Sequence, residues 1–238
     1  MFTLNKIILS LGAGYLYYHF SRKNNNKKLN PSYFKNKNIL ITGSSSGIGK
    51  NIATILSKFD CKLFLLARSF EDEIINNVYR YKCDCSNYSA VKEVISKIYS
   101  VTNFKIDIII HSAGLGEWKF LNEMPIQEIN NCLNAPLQSS INVTHNTLNN
   151  LIKSNQGQIV FIQSPVVIQP WASCTAYSIS RWGMRGLSEA LRADLYNTNI
   201  NISEIILGRT NSNYFISNKT ADERFPLIGN IIRRINPN

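Results

Sequence analysis

Short apolar runs alternate with longer amphipathic stretches along most of the chain. The apolar runs, which we predict to be strands, lie at residues 38–42, 62–67, 78–83, 106–111, 158–163 and 202–207. The amphipathic stretches predict helices at 47–58, 87–100, 125–153 and 175–196. Strands that are apolar throughout and alternate with helices indicate a parallel sheet covered on both faces. We therefore predict an α/β fold built on a doubly wound parallel sheet, which binds ligands at the carboxyl ends of its strands.

The chain divides into three predicted regions. Its 238 residues, 44% of them hydrophobic, suffice for one buried core, which we assign to a domain at residues 38–238. Residues 22–37 are rich in Asn and Lys and predict a linker without structure of its own. Residues 1–21 carry a single charged side chain, Lys6, near their start, and we predict a membrane-anchor helix there.

The flanks of this apolar segment predict how it meets the membrane. Basic residues follow it in excess, which by the positive-inside rule leaves the domain on the cytosolic face, with the endoplasmic reticulum as a candidate membrane. A cleaved signal peptide is the alternative, but the Tyr-rich end lacks a small-residue cleavage site. Gly12 and Gly14 leave open a segment that lies in the membrane interface instead of spanning it.

Charge and cysteine content narrow the choice of partners. The formal net charge is +11, and nine Lys/Arg with no acidic residue precede Asp60. Basic clusters can bind nucleic acid, but these lie beside an apolar segment without interleaved aromatics, so we expect no nucleic-acid partner. The five cysteines are too few and too irregular for a disulfide framework, which favours a reducing compartment. Cys83 and Cys85 lack a second ligand pair, so we expect no metal site.

A glycine-rich turn, Thr42-Gly-Ser-Ser-Ser-Gly-Ile-Gly49, connects the first predicted strand to the first predicted helix. Glycines allow a tight turn and let backbone N–H groups approach a pyrophosphate, which the helix N-terminus then stabilises. Alone, such a run also fits an ordinary strand-to-helix loop. The flanking strand and helix favour dinucleotide binding. The candidate contacts are Gly43, Ser45, Ser46, Gly47, Ile48 and Gly49.

Tyr177 and Arg181 are four residues apart on a predicted helix, so their side chains share one face. A guanidinium in that position can stabilise a phenolate and make a tyrosine an acid or base. A half-buried helix tyrosine beside a solvated arginine is the commoner origin of such a pair. The surrounding sequence decides between these interpretations.

Several motifs occur together in a fixed order. The glycine-rich turn is followed by His111-Ser-Ala-Gly114, Asn134, Ser164, Tyr177 and Leu207-Gly208. Over residues 37–212 this order resembles the short-chain dehydrogenase/reductase family, in particular its membrane-anchored hydroxysteroid-dehydrogenase-like or ketone-reductase-like members. The resemblance implies a Rossmann fold and hydride exchange between a nicotinamide cofactor and a small-molecule carbonyl or alcohol substrate.

The resemblance also implies roles for the catalytic residues. Tyr177 passes the proton, Ser164 hydrogen-bonds the substrate oxygen, and Asn134 holds a water that links the site to solvent. The family has a lysine four residues after the tyrosine, where it lowers the pKa of the phenol and binds the nicotinamide ribose. Here Arg181 stands in its place, and its broad planar fork is a poorer substitute. We therefore predict weakened turnover. An NADP-binding pseudoenzyme that acts as an interaction protein is the alternative.

The residues at the end of the second predicted strand indicate whether the domain binds NAD or NADP. NAD sites usually have an acidic residue there, whereas this chain has Ala67 followed by Arg68, which suits the 2′-phosphate of NADP. Arg68 as a plain loop cation is the alternative. Asp84 matches the family aspartate that contacts the adenine, or it caps the next helix. By the same resemblance, Ala113, Gly114, Tyr177, Arg181 and Gly208 also contact the cofactor.

Three further features depart from a regular pattern. His111 replaces an asparagine of the family, and Pro136 predicts a local kink in the helix at 125–153 because it cannot donate a backbone hydrogen bond. Beyond Leu207 only 31 residues remain, so we predict that the usual seventh strand is missing and the apolar sixth strand lies at an edge. A partner or the tail then covers this strand, or the chain is a shortened copy.

The formation of a homodimer stays an open prediction. Membrane attachment makes a lipid-derived carbonyl compound the expected substrate.

Overall fold

The computed structural model describes residues 8–9, 16–17, 30–208 and 210, and the chain forms two compact units, Met1–Tyr33 and Phe34–Asn238. In the first unit, the described residues of the predicted anchor lie in two short antiparallel strands, Ile8–Leu9 and Leu16–Tyr17, and not in a helix. Gly12 and Gly14 lie between these two strands in the sequence, and they lower the helix propensity of the segment. The rest of residues 1–21 lies outside the described ranges. Every helix that the structure describes is too short or too polar to span a bilayer.

Part of the predicted linker has regular structure. Residues 22–29 lie outside the described ranges, and Pro31–Phe34 forms one helical turn. The Phe34 ring stacks on Phe59 with 5.2 Å between ring centroids, and the first strand of the sheet begins at Lys37. Phe34, near the end of the predicted linker, therefore packs within the second unit through an aromatic contact that the Asn/Lys-rich composition of residues 22–37 did not predict.

The second unit alternates strands and helices. Its strands are β1 Lys37–Thr42, β2 Cys61–Ala67, β3 Glu73–Ile75, β4 Val78–Lys82, β5 Ile108–His111, β6 Gly157–Gln163 and β7 Ile200–Ile206. Its longer helices are α1 Gly47–Leu56, α2 Tyr88–Thr102, α3 Ile126–Leu133, α4 Ser139–Ser154 and α5 Thr175–Asp194. All six predicted strands and all four predicted helical regions are present, the third region as α3 and α4.

The seven strands form one sheet in the order β3-β4-β2-β1-β5-β6-β7. Every neighbouring pair is parallel except β3 and β4. The carboxyl ends of the central strands meet at one edge, since Thr42 pairs with His111 and His111 pairs with Phe161. Strand order reverses between β1 and β5, the position where doubly wound sheets bind their ligands. This confirms the predicted fold class.

Strand β3 is the one that the hydrophobic pattern did not predict. Its three residues are all exposed and pair antiparallel with β4 at one edge of the sheet, so no buried apolar run marks them. At the opposite edge lies β7, as expected for the last predicted strand. A further strand after it would fall beyond residue 210, outside the described residues.

Helices cover both faces of the sheet. On β1, Leu40 lies in a core with residues of α2, α4 and α5, whereas Ile39 and Ile41 lie in a second core with residues of α1. All three side chains are fully buried. Alternation of a strand's side chains between two dry layers is what a doubly wound parallel sheet requires. These two cores fix the positions of the strand ends, and with them the positions of the loops that form the site.

The long helical region is interrupted at Pro136. Residues Asn134–Gln138 form a π-helical turn between α3 and α4. Because proline lacks a backbone N–H, the carbonyl oxygen of Cys132 loses its usual helical donor, and a wider turn relieves the clash with the proline ring. The predicted kink is confirmed, and Asn134 is the first residue of the irregular turn.

Candidate active site

The glycine-rich turn after β1 leaves no room for a side chain at Gly43 or Gly49. Gly43 and Gly47 have positive φ angles of 64° and 51°, a region that other residues rarely adopt. A Cβ on Gly43 would lie 2.6 Å from the Cα of Ala113, and one on Gly49 would collide with the carbonyl oxygen of Gly43. Ser46 at the N-cap of α1 makes no side-chain cap hydrogen bond. The first amides of α1 therefore stay available to a phosphate group, which fits the predicted cofactor.

The turn that follows β5 is bonded to the same strand end. The Thr42 hydroxyl accepts hydrogen bonds from the backbone N–H groups of Ser112 and Ala113, both at 3.2 Å. In return, the Ser112 hydroxyl donates to the carbonyl oxygen of Thr42. These bonds hold Ala113 and Gly114 beside the glycine-rich turn, where predicted cofactor contacts need to lie.

His111 supports this edge from within the core. It is 1% exposed, its ring stacks on Phe161 at 4.8 Å, and its Nε2 shares a 3.1 Å hydrogen bond with the Thr144 hydroxyl. Burial lowers the pKa of His111 to about 3, so the ring is neutral near pH 7. Its Nδ1 has no hydrogen-bond partner among the described residues. His111 therefore stabilises the strand end without bringing a charge to the site.

The predicted adenosine end of the site carries a cation. Arg68 follows Ala67 at the end of β2 and is exposed, so an anion can reach its guanidinium. Asp84 accepts hydrogen bonds from the backbone N–H of Ser86 at 3.0 Å and from its hydroxyl at 2.7 Å. Asn87, and not Asp84, caps α2. The alternative of Asp84 as a helix cap is thus wrong, and its contact with adenine stays a prediction.

Tyr177 and Arg181 lie on the face of α5 that meets the strand ends. Both are buried, with 6% and 7% of their surface exposed. The Arg181 guanidinium carbon lies 5.0 Å from the centre of the Tyr177 ring, and Nη1 donates a 3.0 Å hydrogen bond to the carbonyl oxygen of Ile162. Nη2 packs so closely on Gly114 that a Cβ there would collide with it. The alternative of a solvated arginine is therefore wrong, because Arg181 is a buried cation that joins α5 to two strand ends.

Ser164 directly follows β6 and begins a 3₁₀ turn. Two side chains of α5 hold this turn. The Trp182 indole N–H donates to the carbonyl oxygen of Val166 at 2.9 Å, and Arg185 Nη1 donates to that of Val167 at 3.2 Å. One helix therefore positions both the phenol and the loop that carries the predicted catalytic serine.

Trp182 and Arg185 are functional candidates that the sequence analysis missed. A signal existed, since Tyr177, Arg181 and Arg185 recur every four residues and so share one helix face. Trp182 gave no such signal, because it lies outside this four-residue spacing. In the structure it is 46% exposed, and its indole nitrogen reaches the turn.

Asn134 and Gly208 are among the predicted site residues that are exposed. Asn134 begins the π-helical turn, which packs against α5 through Leu137, whose Cδ2 would lie 2.7 Å from a Cβ on Gly183. Gly208 lies just beyond β7, and a Cβ there would meet nothing within 4 Å. Close packing therefore does not require a glycine at position 208, and the contact of Gly208 with the cofactor stays a prediction.

An aromatic cluster adjoins Tyr177. Trp118, in the loop after β5, has its ring 5.4 Å from that of Tyr177, and Trp171, in the loop after β6, stacks on Trp118 at 6.0 Å. Val166 and Cys174 are buried in the same cluster. No local pattern marks the two tryptophans, because they come from loops that are far apart in the sequence.

The five cysteines are free, buried thiols. Within the described ranges, no three His, Cys, Asp or Glu side chains are grouped to hold a metal ion. Two of the thiols fix loops of the site instead. Cys132 Sγ accepts from the backbone N–H of Glu117 at 3.2 Å, and Cys174 Sγ donates to the carbonyl oxygen of Trp171 at 2.9 Å.

Comparison with known proteins agrees with this geometry. The family model described as short chain dehydrogenase matches residues 37–223, a span that holds the whole sheet and every predicted site residue. The chain belongs to the short chain dehydrogenase family. It is therefore an oxidoreductase by family, with the glycine-rich turn and α5 in the positions described above.

Relatives of this short chain dehydrogenase include reductases and oxidoreductases. The chain is 30% identical over 180 residues to the 3-oxoacyl-[acyl-carrier-protein] reductase FabG of Buchnera aphidicola subsp. Baizongia pistaciae, a match that covers 71% of each chain. It is 27% identical over 212 residues to the oxidoreductase UcpA of Salmonella typhimurium, covering 84% of this chain and 74% of the relative.

Solved structures share the fold. An alcohol dehydrogenase from the archaeon Thermococcus sibiricus, complexed with 5-hydroxy-NADP, matches with a TM-score of 0.68 at 22% identity, over 76% of this chain and 79% of its own. A short-chain dehydrogenase from Streptomyces avermitilis matches with a TM-score of 0.70 at 20% identity, over 76% and 69%. These likenesses concern the course of the backbone.

Proposed function

We propose that this short chain dehydrogenase exchanges a hydride between NADP(H) and the carbonyl or alcohol group of a small molecule. The observation that carries the proposal is an unbroken series of contacts at the strand ends. Tyr177 contacts Arg181, Arg181 contacts Gly114, and the neighbouring Ala113 packs on Gly43 of the phosphate turn. Gly43 would hold the phosphates of a dinucleotide at one end of that series, and Tyr177 and Arg181 would hold its nicotinamide end. NADP(H), when bound, supplies or accepts the hydride.

The residues of the chain bind the substrate oxygen and move the proton. In reduction, the Tyr177 hydroxyl donates its proton to the carbonyl oxygen, and in oxidation the phenolate takes it back. The Ser164 hydroxyl donates a hydrogen bond to the same oxygen and holds it beside the phenol. Arg181 holds its guanidinium over the face of the Tyr177 ring, 5.0 Å from the ring centre. Asn134, exposed at the π-helical turn, holds a water that links the phenol to solvent, which replaces the proton lost in reduction and accepts the one gained in oxidation.

Because Arg181 stands where the family has a lysine, we propose that this chain carries out the reaction more slowly than a lysine-containing relative. Its Nη1 is committed to the carbonyl oxygen of Ile162, and its guanidinium carbon lies over the Tyr177 ring. The remaining N–H donors lie in a rigid plane that this bond holds in place, whereas a lysine ammonium can turn its donors toward the nicotinamide ribose. The same contacts favour a second candidate function, an NADP-binding pseudoenzyme that acts as an interaction protein.

NADP is the proposed cofactor because of Arg68. Its guanidinium is exposed directly after β2, and the segment Ala67-Arg68-Ser-Phe70 carries no acidic residue to bind the ribose hydroxyls of NAD. Arginine pairs with phosphate through two parallel hydrogen bonds, which a 2′-hydroxyl cannot form.

Location, assembly and substrate source also belong to the proposal. Residues 1–21 are proposed to attach the domain to a membrane, with the endoplasmic reticulum as the candidate and the domain facing the cytosol. A homodimer and a lipid-derived carbonyl stay predictions.

Titration of the full-length chain with NADPH and NADH, followed by a panel of ketones and aldehydes, tests the function. We expect tighter binding of NADPH, with about a tenfold preference that is lost in Arg68→Ala, and oxidation of NADPH when a carbonyl is added. Binding without oxidation of NADPH by any carbonyl would support the pseudoenzyme. Equal affinity for the two cofactors would contradict the role of Arg68.

A further inference from the structure

Three aromatic rings form a continuous series beside the proposed reaction centre. The Trp118 ring contacts Tyr177 at 5.4 Å with an interplanar angle of 47°, and the Trp171 ring lies nearly parallel to Trp118, at 6.0 Å and 18°. Trp118 is 1% exposed, whereas Trp171 is only partly buried. The series therefore begins at the buried phenol and ends at an indole that still presents surface to a ligand.

The loop of Trp118 is fixed on both sides of the ring. Before it, the backbone N–H of Glu117 donates to Cys132 Sγ at 3.2 Å. After it, Lys119 forms a 2.6 Å ion pair with Glu128 of α3, and both side chains are partly buried. Side chains held in this way lose little further entropy when a ligand binds, so Trp118 is a preorganised support.

The loop of Trp171 is fixed by one thiol. The Trp171 backbone N–H donates to Cys174 Sγ at 3.3 Å, and the same sulfur donates to the Trp171 carbonyl oxygen at 2.9 Å. Burial raises the pKa of the Cys174 thiol, which keeps it protonated and able to donate. Trp171 thus has a fixed backbone and a partly accessible ring.

Further apolar side chains of the same two loops are exposed. Leu121, just after Trp118, is 47% exposed, and Ile168, just before Trp171, is 60% exposed. Both loops follow carboxyl ends of parallel strands, where this fold binds its ligands. Exposed apolar side chains beside a reaction centre are typical of a pocket for an apolar ligand.

We propose that Trp171 determines substrate specificity and that the preferred substrate carries a flat aromatic or unsaturated ring next to its carbonyl group. This inference rests on the proposed function and names its substrate class. A planar ring stacked on an indole gains interaction energy beyond the area that it buries, whereas a puckered ring or a flexible chain of equal size does not. Trp118 is a positioning residue, since its ring contacts Tyr177 and supports Trp171.

The experiment uses three methyl ketones of equal carbon number, namely acetophenone, cyclohexyl methyl ketone and 2-octanone. Their dissociation constants are measured by titration calorimetry on the full-length chain in saturating NADP⁺, which cannot reduce a ketone. We expect acetophenone to bind about threefold to tenfold more tightly than the other two, the gain that one aromatic pair provides. Trp171→Leu removes this difference because acetophenone loses more affinity than 2-octanone, and Trp171→Phe retains most of the difference.

Tyr196→Leu is the matched control, because Tyr196 is 79% exposed and belongs to none of the described aromatic pairs. Its ring preference equals that of the wild type. No ring preference in the wild-type chain, or one that persists in Trp171→Leu, would overturn the inference. Failure of the proposed function is a separate result: ring preference with no oxidation of NADPH by any carbonyl refutes the reaction and leaves the aromatic site standing.

Discussion

Arg181 donates a 3.0 Å hydrogen bond from Nη1 to the carbonyl oxygen of Ile162. This bond connects α5 to β6. Ile162 lies one residue after Phe161, which is the last residue of β6 that pairs with β5. A buried guanidinium at that point stabilises the strand end and brings a positive charge to the Tyr177 ring. The residue that departs most from the family pattern therefore has a structural contact as well as a chemical role.

Arg181→Lys is expected to raise the rate of carbonyl reduction. A lysine ammonium is a compact charge with three free donors, so it serves the phenol and the ribose better than a guanidinium bound to Ile162. We expect kcat to rise about tenfold, a barrier lower by about 1.4 kcal/mol. Arg181→Met, which keeps the length without the charge, is the control and lowers kcat. Unchanged, measurable turnover in Arg181→Lys would refute this account of position 181.

Gly49→Ala is expected to abolish NADPH binding, measured by fluorescence titration. Its Cβ would collide with the carbonyl oxygen of Gly43, a backbone atom of the phosphate turn that cannot rotate away. Gly186→Ala is the matched control, because Gly186 lies within α5 and a Cβ there meets nothing within 4 Å. The control keeps NADPH affinity and stabilises the protein by up to about 1 kcal/mol. Equal NADPH affinity in both variants would exclude the turn as the phosphate site.

Trp182→Phe tests whether α5 positions the loop of Ser164. The change removes the indole N–H that donates to the Val166 carbonyl oxygen and keeps an aromatic ring. We expect kcat to fall about fivefold, because the loss of one hydrogen bond costs about 1 kcal/mol, while NADPH affinity stays constant. Loss of kcat and NADPH affinity together would indicate general damage and contradict a positioning role.

His111 predicts how stability depends on pH. Burial lowers its pKa from 6.5 to about 3, so below pH 6.5 the unfolded chain binds a proton that the folded chain does not. The stabilisation is complete above pH 6.5 and is lost as pH falls toward 3, by at most about 1.4 kcal/mol per pH unit. Urea unfolding at pH 7 and pH 5 should show a shallower pH dependence in His111→Asn. Equal slopes in the two proteins would disprove a buried neutral His111.

Much of the fold was predictable because each dominant signal was local. Continuous apolar runs predicted six strands, and Pro136 predicted the irregular turn at Asn134. Strand β3 escaped detection because its three residues are exposed, so that no buried apolar run marks them. The four described residues of the anchor segment form short strands and not the predicted helix. The two glycines between these strands disfavour a helix.

The site was predictable only where motif spacing marked it. Tyr177, Ser164 and the phosphate turn were found from their order in the sequence. The burial of Arg181 and the contact of Trp118 with Trp171 depend on loops brought together by the sheet, which no local pattern encodes.

The rate of NADPH oxidation by the full-length chain with acetophenone, in wild type and Tyr177→Phe, tests the central claim most directly. We predict that the wild type oxidises NADPH and that Tyr177→Phe is slower by at least about 100-fold, the usual contribution of a proton-transferring group. NADPH affinity stays the same, since the ring and its contacts with Trp118 and Arg181 are retained. Equal rates in the two proteins, or no oxidation by the wild type with any carbonyl, would contradict the account.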